Sequence, residues 1–341
     1  MRAVATAPAP GESIEVAPGV HWFATTLPFR LRAINQWLLR DAEGWTMIDC
    51  GYGSAEVMQQ VEAVWARVLD GRRVTRLVVT HHHVDHVANC RWICDRWGIV
   101  PTMTRREHDR AEIVTGKGWA GERHQRIAFW QRHGLSEAAA MNISDAWDNN
   151  CNFTRPIPET WECIKDGDAL QINGFAWHVL VGKGHAPEQA LLYSPERKLL
   201  ISGDQVLTRI TPNVSVFDDA PDAEPLTLFL GSNRRIAQAC PDVMVLPSHN
   251  LPFRGLQSRV KALEHHHALR LAIIEREING KPQTAAALVP SLFGKLTGHE
   301  LGFAMGEIIA HLHYLVVQGR AEAREHNGRA VFVARCDGSQ R

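Results

Sequence analysis

Short apolar runs alternate with longer amphipathic stretches along this chain. Residues 14–23, 33–39 and 45–48 are rich in apolar, aromatic and β-branched side chains, which favours strands. Residues 56–69 carry their apolar side chains at helical spacing, and the short apolar run 77–80 follows them. Strands that alternate with helices in this way are typical of the α/β class.

Three later strand-like runs each end beside a residue that binds metals in many proteins. Residues 177–181 precede His185, residues 199–203 precede Asp204, and residues 243–248 precede His249. In α/β layers, the loops that leave the carboxyl ends of strands usually form the site. We therefore expect these three side chains to meet at one edge of a sheet.

The six residues after the apolar run 77–80 form an H-x-H-x-D-H pattern: His81, His82, His83, Val84, Asp85 and His86. His81 and His83 point the same way if the chain is still extended there, whereas Asp85 and His86 need a turn to reach the same pocket. Such a set of imidazoles and carboxylate suits two adjacent divalent ions of the zinc type. The alternatives are a His-rich tract that binds adventitious metal and an exposed loop.

With the later Gly-His, Gly-Asp and Pro-x-His elements, this pattern resembles that of the metallo-β-lactamase-fold hydrolases. The resemblance covers residues 14–255 and implies an αββα four-layer sandwich. It also implies two metal sites that share one carboxylate: His81, His83 and His185 for the first metal, Asp85, His86 and His249 for the second, and Asp204 as the bridge. The bridging aspartate makes the chain similar to the glyoxalase II-type branch rather than to the zinc β-lactamases that use a cysteine.

This ligand set implies hydrolysis with two divalent metal ions, Zn²⁺ in the first place, with Fe or Mn as alternatives. A water between two such ions has a pKa near about 7, so hydroxide is available at neutral pH. Asp85 is then the candidate that orients the hydroxide and passes its proton to the leaving group. Asp49 is either a carboxylate that fixes a ligand histidine or a strand-end residue that starts a turn. His82 should point away from the metals.

The overall charge favours neither nucleic acid nor a membrane surface as a partner, because Lys+Arg and Asp+Glu number 37 each. No apolar run approaches the roughly 20 residues of a membrane span, and residues 1–13, interpreted as an N-terminal tail, show no secretory signal. Seven scattered cysteines indicate reduced thiols, hence a cytoplasmic protein, and we interpret them as small buried hydrophobes.

Residues 102–160 look like helices inserted between the two halves of the ligand set. Arginines alternate there with acids, and four large aromatic residues are interleaved: Trp119, Phe129, Trp130 and Trp147. Such an insert can cover the site, line an apolar substrate pocket or form the contact of a homodimer. The alternative is an ordinary packed helical layer. Because acids balance the arginines, the aromatic residues are weak grounds for nucleic-acid binding.

Residues 256–341 change character and predict a small separate α+β domain. The pattern gives three helices and a hairpin: helices over 257–277, 284–293 and 299–318, and strands over 321–326 and 329–334 around Asn327-Gly328. This arrangement resembles a winged helix, which several hydrolases of the family carry at this end. The third helix has no Lys or Arg to engage phosphates, so we expect a structural or substrate-covering role. His265 to His267 are expected on a helix surface, with a third metal site as the alternative.

Three classes of function remain. The first is hydrolysis of an ester-type bond in a small molecule, a thioester or ester, with a lactone as a variant. The second is a metal-dependent ribonuclease or phosphodiesterase, against which stand the neutral charge and the lack of a nuclease-specific insert between Asp204 and His249. The third is an iron-dependent sulfur dioxygenase. Such enzymes bind a single iron, whereas this chain has seven candidate ligands, which favours hydrolysis.

Overall fold

A computed structural model describes residues 6–116, 123–151 and 153–335 of the chain, with the backbone alone at positions 150 and 151. Its described residues form two compact units. The first unit comprises residues 6–116, 151, 153–212 and 232–260, and the second comprises residues 123–150, 213–231 and 261–335. The boundary expected at 255/256 lies close to the last change of unit. The helical insert, expected in the first domain, contributes residues 123–150 to the second unit.

The first unit contains a seven-stranded sheet with the strands in chain order. Its strands are β1 Ser13–Ala17, β2 Val20–Thr26, β3 Ala33–Arg40, β4 Trp45–Ile48, β5 Val74–Val78, β6 Pro101–Met103 and β7 Glu162–Cys163. Neighbours from β1 to β4 are antiparallel, and those from β4 to β7 are parallel. The carboxyl ends of β4 and β5 therefore lie at the same edge of the sheet.

The second sheet of this unit has six strands in the order β13-β12-β11-β10-β9-β8. Its strands are β8 Ala169–Ile172, β9 Phe175–Gly182, β10 Gln189–Ser194, β11 Leu199–Gly203, β12 Met244–Pro247 and β13 Phe253–Arg254. Strands β11 and β12 are parallel, whereas the other neighbours are antiparallel. Asp204 and His249 consequently follow two parallel neighbours at the same sheet edge.

Ten helices are described along the chain. They are α1 Ala55–Val68, α2 Val84–Val87, α3 Cys90–Trp97, α4 Arg105–Thr115, α5 Arg123–Arg132, α6 Glu137–Cys151, α7 Pro225–Ala239, α8 Leu256–Ile278, α9 Ala285–Phe293 and α10 Gly298–Val317. The first, α1, begins after Ser54, whose side chain accepts a hydrogen bond from the amide of Val57. Its buried side recurs at Val57, Val61, Val64 and Val68, the spacing of one helix face.

The two sheets pack face to face because their strands alternate between two apolar surfaces. Trp22 and Trp37 point into the layer between the sheets, where they meet Trp177 of β9. Their neighbours Phe23 and Leu38 point to the opposite face, against α1 and α3. On the second sheet, Arg235 of α7 bonds the carbonyl of Val181 in β9 at 2.6 Å. The expected α/β sandwich is confirmed.

The second unit contains the C-terminal helices and a hairpin of β14 Ala321–His326 and β15 Arg329–Ala334. Asn327 and Gly328 both have positive φ, 49° and 71°, as the predicted Asn-Gly hairpin turn requires. Gln283, just before α9, exchanges two backbone hydrogen bonds with Phe332 of β15, at 2.9 and 2.8 Å. The predicted succession of three helices and a hairpin is therefore present.

Three aromatic residues of the insert lie in the core of the second unit. Phe129 and Trp130 are in contact at 4.8 Å between ring centroids, and Trp130 lies 6.1 Å from Trp147. Trp147 also contacts Phe217, at 5.1 Å. Phe129, Trp130 and Trp147 are buried, which favours the ordinary packed helical layer, whereas Phe153 is 53% exposed. Trp119 lies outside the described residues.

Two arginines of the insert form ion pairs with aspartates of the same insert. Arg126 of α5 is fully buried and its guanidinium lies 2.6 Å from a carboxylate oxygen of Asp148 in α6. Arg123 pairs with the same Asp148 at 2.7 Å and also with Asp145. Helices α5 and α6 are thus joined by ion pairs, so these two arginines hold the helices together.

The expectation that the triplet His265 to His267 lies on a helix surface holds in part. His265 is exposed, but His267 is 1% exposed and its Nδ1 lies 3.0 Å from Nε2 of His311 on α10. One face of helix α8 points into the core here, and three identical residues in a row do not indicate which of them lies on that face.

The expectation that the cysteines are buried also holds in part: Cys50, Cys90, Cys94 and Cys240 are buried, whereas Cys163 is exposed.

One helix of the second unit, α10, is long and apolar enough to cross a membrane by length and composition alone. Most of it is buried, and Met305, Ile308, Leu312 and Leu315 all lie in the core. This burial is typical of the central helix of a packed domain.

Buried histidines make the protein's stability depend on pH. Burial, with His313 and Arg132 nearby, lowers the pKa of His133 from 6.5 to about 3. The unfolded chain therefore takes up this proton first as the pH falls through 6.5, and stability is lost below that pH. Between about pH 7.5 and about pH 5.5, His133 is expected to lower the free energy of unfolding by about 1.4 kcal/mol.

The variant His133→Gln removes this titration, so its stability should fall less over the same pH interval, by about 1.4 kcal/mol. Urea unfolding followed by circular dichroism at both pH values measures the difference between variant and wild type. An identical loss in the two proteins would contradict the assignment.

Candidate metal centre

Four donor side chains form the first group at the sheet edge. Nε2 of His81 lies 2.9 Å from Nδ1 of His83 and 3.3 Å from Nε2 of His185. Nε2 of His185 lies 3.5 Å from Oδ2 of Asp204. One donor atom from each of the four residues lies within 4.8 Å of all the others.

The second group consists of Asp85, His86 and His249 and is adjacent to the first. Oδ2 of Asp85 lies 3.4 Å from Nε2 of His249 and 3.8 Å from Nε2 of His86. Asp204 reaches this group as well, since its Oδ1 is 3.6 Å from Nε2 of His86 and its Oδ2 is 3.5 Å from Nε2 of His249. The Asp204 carboxylate therefore lies between the two groups.

The loop after β5 has the conformation that the H-x-H-x-D-H pattern predicts. His83 is still extended, with φ −63° and ψ 146°, so the side chains of His81 and His83 reach the same place. Helix α2 begins at Val84, and this single turn carries Asp85 and His86 round to the second group. The amide of His86 donates to the carbonyl of His83 at 2.9 Å, which closes the turn.

In three of the histidines, the ring nitrogen Nδ1 lies within hydrogen-bond distance of a neighbouring oxygen. Nδ1 of His249 lies 2.9 Å from the carbonyl of Ala33, and Nδ1 of His81 lies 3.0 Å from the hydroxyl of Thr80. Nδ1 of His86 lies 2.8 Å from Oδ2 of Asp49. A carbonyl or carboxylate only accepts, so in His86 and His249 Nδ1 carries a hydrogen and Nε2 faces Asp85 and Asp204. Burial opposes protonation of these two rings, but the neighbouring carboxylates outweigh burial: they hold the pKa of His86 well above 6.5 and raise the pKa of His249 to about 10. Metal binding at Nε2 of either ring therefore displaces a proton.

Asp49 is a buried carboxylate with several donors around it. Besides His86, it accepts from the amide of Thr80 at 2.7 Å and from the Thr80 hydroxyl at 2.9 Å. Its φ of 64° is a left-handed conformation, which Asp and Asn tolerate better than other side chains. Gln36 holds the backbone there, because its Nε2 donates to the Asp49 carbonyl at 3.2 Å. Asp49 therefore contacts a candidate ligand histidine, His86, and also lies at the end of a strand, so both interpretations from the sequence agree with its contacts.

The two groups fit divalent cations chemically. Nε2 of His86 and Oδ1 of Asp204 are buried and have no hydrogen-bond partner within the described residues. Burial, followed by the neighbouring histidines, lowers the pKa of His81 and of His83 well below 6.5, so both rings are neutral and can donate a lone pair. Burial opposes ionisation of Asp204, but His249 and His86 hold its pKa well below the ordinary value. Neutral His81 and His83 facing an ionised carboxylate are the donors that zinc prefers, and in the second group a metal takes the place of the protons on His86 and His249.

The remaining member of the histidine run, His82, belongs to neither donor group. Its Nδ1 lies 2.6 Å from Oε2 of Glu107, and its backbone amide donates to the same oxygen at 3.0 Å. Sequence reasoning missed Glu107, which lies in a polar helix of the insert. A Thr-x-x-Glu spacing from Thr104 was present, but this spacing usually indicates a helix cap.

Sequence reasoning also missed Asn35 of β3. Its side-chain amide donates to the carbonyl of Pro247 at 2.8 Å and to that of Asn250 at 2.7 Å, on either side of His249. The backbone amide of Asn35 donates to the carbonyl of Ser248 at 2.7 Å. Asn35 therefore holds the turn that carries His249. These contacts join residues more than 200 positions apart, so no local pattern could indicate them.

The carboxylate of Asp49 gives a testable dependence of metal affinity on a residue outside the donor groups. Asp49→Asn keeps a side chain that tolerates positive φ but loses acceptors for Thr80 and His86. We expect metal affinity to fall 10–100-fold, measured by competition with a chromophoric chelator. Asp70→Asn is the matched control, since Asp70 also has positive φ, 51°, and is exposed. An equal effect of both substitutions would contradict the role of Asp49.

The αββα sandwich and its edge of histidines and aspartates define a metal-dependent hydrolase fold. The sequence model of the Metallo-beta-lactamase superfamily matches residues 30–249, which is more than half of the chain. The chain therefore belongs to the metallo-beta-lactamase superfamily. A second model, the metallo-beta-lactamase-like C-terminal domain, matches residues 271–335.

Relatives of similar length share both parts of the chain. A probable metallo-hydrolase of Bacillus subtilis (strain 168), YqjP, is 25% identical over 312 residues, which cover 84% of this chain and 89% of the relative. The crystal structure of a beta-lactamase domain protein from Burkholderia ambifaria is 37% identical with a TM-score of 0.90, covering 97% of this chain and 96% of that one. A metallo-beta-lactamase family protein from Thermus thermophilus has the same fold, with a TM-score of 0.80 at 24% identity, over 94% of this chain and 100% of that one.

These findings and the two donor groups make the protein an enzyme, a metallo-hydrolase of this superfamily with a His/Asp metal-binding cluster.

Proposed function

We propose that the protein is a dinuclear zinc hydrolase that cleaves an ester-type bond, a thioester or ester, with a lactone as a variant. The first ion would be held by His81, His83 and His185, the second by Asp85, His86 and His249, and Asp204 would bind both. The position of the Asp204 carboxylate carries the proposal, because its oxygens lie within 3.6 Å of nitrogens in both groups. Fe or Mn are the alternative metals for the same donors.

When bound, two such ions would supply Lewis acidity toward a carbonyl oxygen and would lower the pKa of a bound water toward about 7. Asp85 is the residue proposed to take the proton from the attacking water and deliver it to the leaving group. Burial raises the pKa of this carboxyl, but His86 and His249 outweigh burial and hold the pKa below the ordinary value. Asp85 is therefore ionised at neutral pH, as a proton acceptor must be.

Asp49 and Thr80 are proposed to fix the orientation of two ligand histidines. The Asp49 carboxylate holds His86, and the Thr80 hydroxyl lies beside both Asp49 and His81. Buried partners of this kind restrict the ring orientation of a ligand and raise its basicity.

The branch of the superfamily is proposed from the donor types. Neither described donor group contains a cysteine, and an aspartate lies between the groups, as in the glyoxalase II-like branch. For the C-terminal part we propose a winged-helix-like module with a structural role or a role in substrate choice. The isolated backbone bridge between Gln283 and Phe332 supports it, because it places the segment before α9 beside the hairpin, where a winged helix has its third strand.

The substrate is proposed to be a small molecule, and the enzyme to be cytoplasmic. None of the five described cysteines forms a disulfide, which agrees with a reducing compartment. Nucleic acid is a less suitable substrate, since the chain has no excess of basic residues. Two copies of the chain could associate as a homodimer, which size-exclusion chromatography with light scattering would test.

A panel of substrates tests the reaction class. Zinc-loaded enzyme should hydrolyse short and long acyl thioesters, aryl esters or acyl lactones faster than a phosphodiester or a β-lactam. Rapid cleavage of a structured RNA with inert esters and thioesters would overturn the proposal in favour of a nuclease. Oxygen consumption with a persulfide by iron-loaded protein, without hydrolysis, would favour a sulfur dioxygenase.

A further inference from the structure

Glu107 is a buried carboxylate that lies between two of the ligand-bearing loops. It is 0% exposed, and its two oxygens point in different directions. Oε2 accepts from the amide of His82 at 3.0 Å and lies 2.6 Å from the ring nitrogen Nδ1 of the same residue. Oε1 accepts from the amide of Glu188 at 2.6 Å. One side chain thus joins the loop of His81 and His83 to the segment that follows His185.

The local sequence predicts that Glu107 caps its own helix, but the structure shows other contacts. In a Thr-x-x-Glu capping box, the Thr side chain caps the helix and the Glu reaches back to the backbone amide of that Thr. Here the Thr104 side chain makes no cap hydrogen bond and instead donates to the carbonyl of Glu188 at 2.7 Å. Both members of the spacing are directed to neighbouring loops instead of to their own helix.

We infer that Glu107 is a positioning residue for the first metal group: it holds the peptide between His81 and His83, and the segment after His185, in the geometry that metal binding needs. His82 lies between two ligands, so its backbone amide and its ring are well placed to fix the directions of both. A carboxylate accepts only, so Nδ1 of His82 carries the hydrogen in this contact. Removing the carboxylate would leave three donors without partners, and the two of His82 are buried.

The inference rests on the proposed metal-dependent function, but it concerns only one of the two donor groups. The second group is connected to other residues, since Asp49 holds His86 and the Ala33 carbonyl holds His249. Loss of Glu107 should therefore weaken metal binding selectively at the first group. A residue that merely stabilised the fold would affect both groups equally.

Two single-site backgrounds separate the groups. In His249→Ala the first group is the better remaining site, and in His185→Ala the second is. Zinc affinity is measured in both backgrounds by competition with a chelator. We expect Glu107→Gln to weaken zinc binding about 10-fold in the His249→Ala background and less than about 3-fold in the His185→Ala background. Glu107→Ala should weaken zinc binding about 100-fold in the His249→Ala background. Cobalt absorption spectra of the first background should change with Glu107→Gln, because the ligand geometry changes.

His82 provides the conservative rescue. Asn at position 82 keeps a nitrogen donor near the place of Nδ1, so His82→Asn should bind zinc nearly as the parent does, whereas His82→Leu should resemble Glu107→Gln. Glu62→Gln, an exposed carboxylate on α1, is the control for loss of charge. Circular dichroism and thermal unfolding of the metal-free variants show whether they are folded.

The outcomes are distinct. If the wild-type chain binds no metal, the proposed function fails. If it binds two ions and Glu107→Gln leaves both backgrounds unchanged, or weakens both equally, only the inference about Glu107 is overturned.

Discussion

Asp85→Asn is expected to lower kcat by about 10²–10⁴-fold, with zinc still bound, because the amide cannot take up the proton of the attacking water. Asn keeps the size of the side chain and a carbonyl oxygen near Oδ2, 3.4 Å from Nε2 of His249, so the fold and most of the metal affinity should remain. The measurement is kcat on the best substrate of the panel, with metal content determined on the same sample.

Asp95→Asn is the matched control for this experiment. Asp95 is an exposed carboxylate on α3, ten positions further along the chain, and it pairs with Arg91 at 3.1 Å. We expect this control to keep wild-type activity. Near wild-type turnover in metal-loaded Asp85→Asn would remove Asp85 from the catalytic step.

The second large effect is expected for Asp204, the carboxylate between the donor groups. Asp204→Asn removes the negative charge that faces His86, His185 and His249, at 3.5 to 3.6 Å. Both ions should be held more weakly, by at least about 10²-fold, which exceeds the effect typical of residues outside the ligand set. The variant should retain no more than one metal per chain after gel filtration.

The exposed carboxylate Asp242, which pairs with Lys198 at 3.0 Å, supplies the control substitution Asp242→Asn. That variant should keep the metal content of the wild type. If Asp204→Asn also kept two ions per chain, a bridging role for Asp204 would be refuted.

The donor groups could be predicted from sequence because each ligand follows an apolar strand. Hydrophobic runs fix strand positions, and the parallel pairs β4–β5 and β11–β12 bring their carboxyl ends to shared edges. His81 and His83 are close in sequence, so an extended segment was enough to predict that they meet. The pattern likewise predicted that a turn carries Asp85 and His86 to the same pocket, but it did not show that this turn is helical.

The residues that hold these ligands in place could not be predicted. Glu107 and Asn35 act through tertiary contacts, with partners 25 and 212 positions away, and their neighbours in sequence do not indicate this. The aromatic residues of the insert were ambiguous for a related reason. Trp130 and Trp147 are apolar whether they line a pocket or fill a core, and only the packing around them shows that they are buried.

The central claim, a pair of metal ions that share Asp204, is tested most directly by the metal content of the wild-type chain. Protein freed of metal, reloaded with zinc and passed through gel filtration should contain about two ions per chain by elemental analysis. A content of one ion per chain that persists in excess zinc would contradict the account.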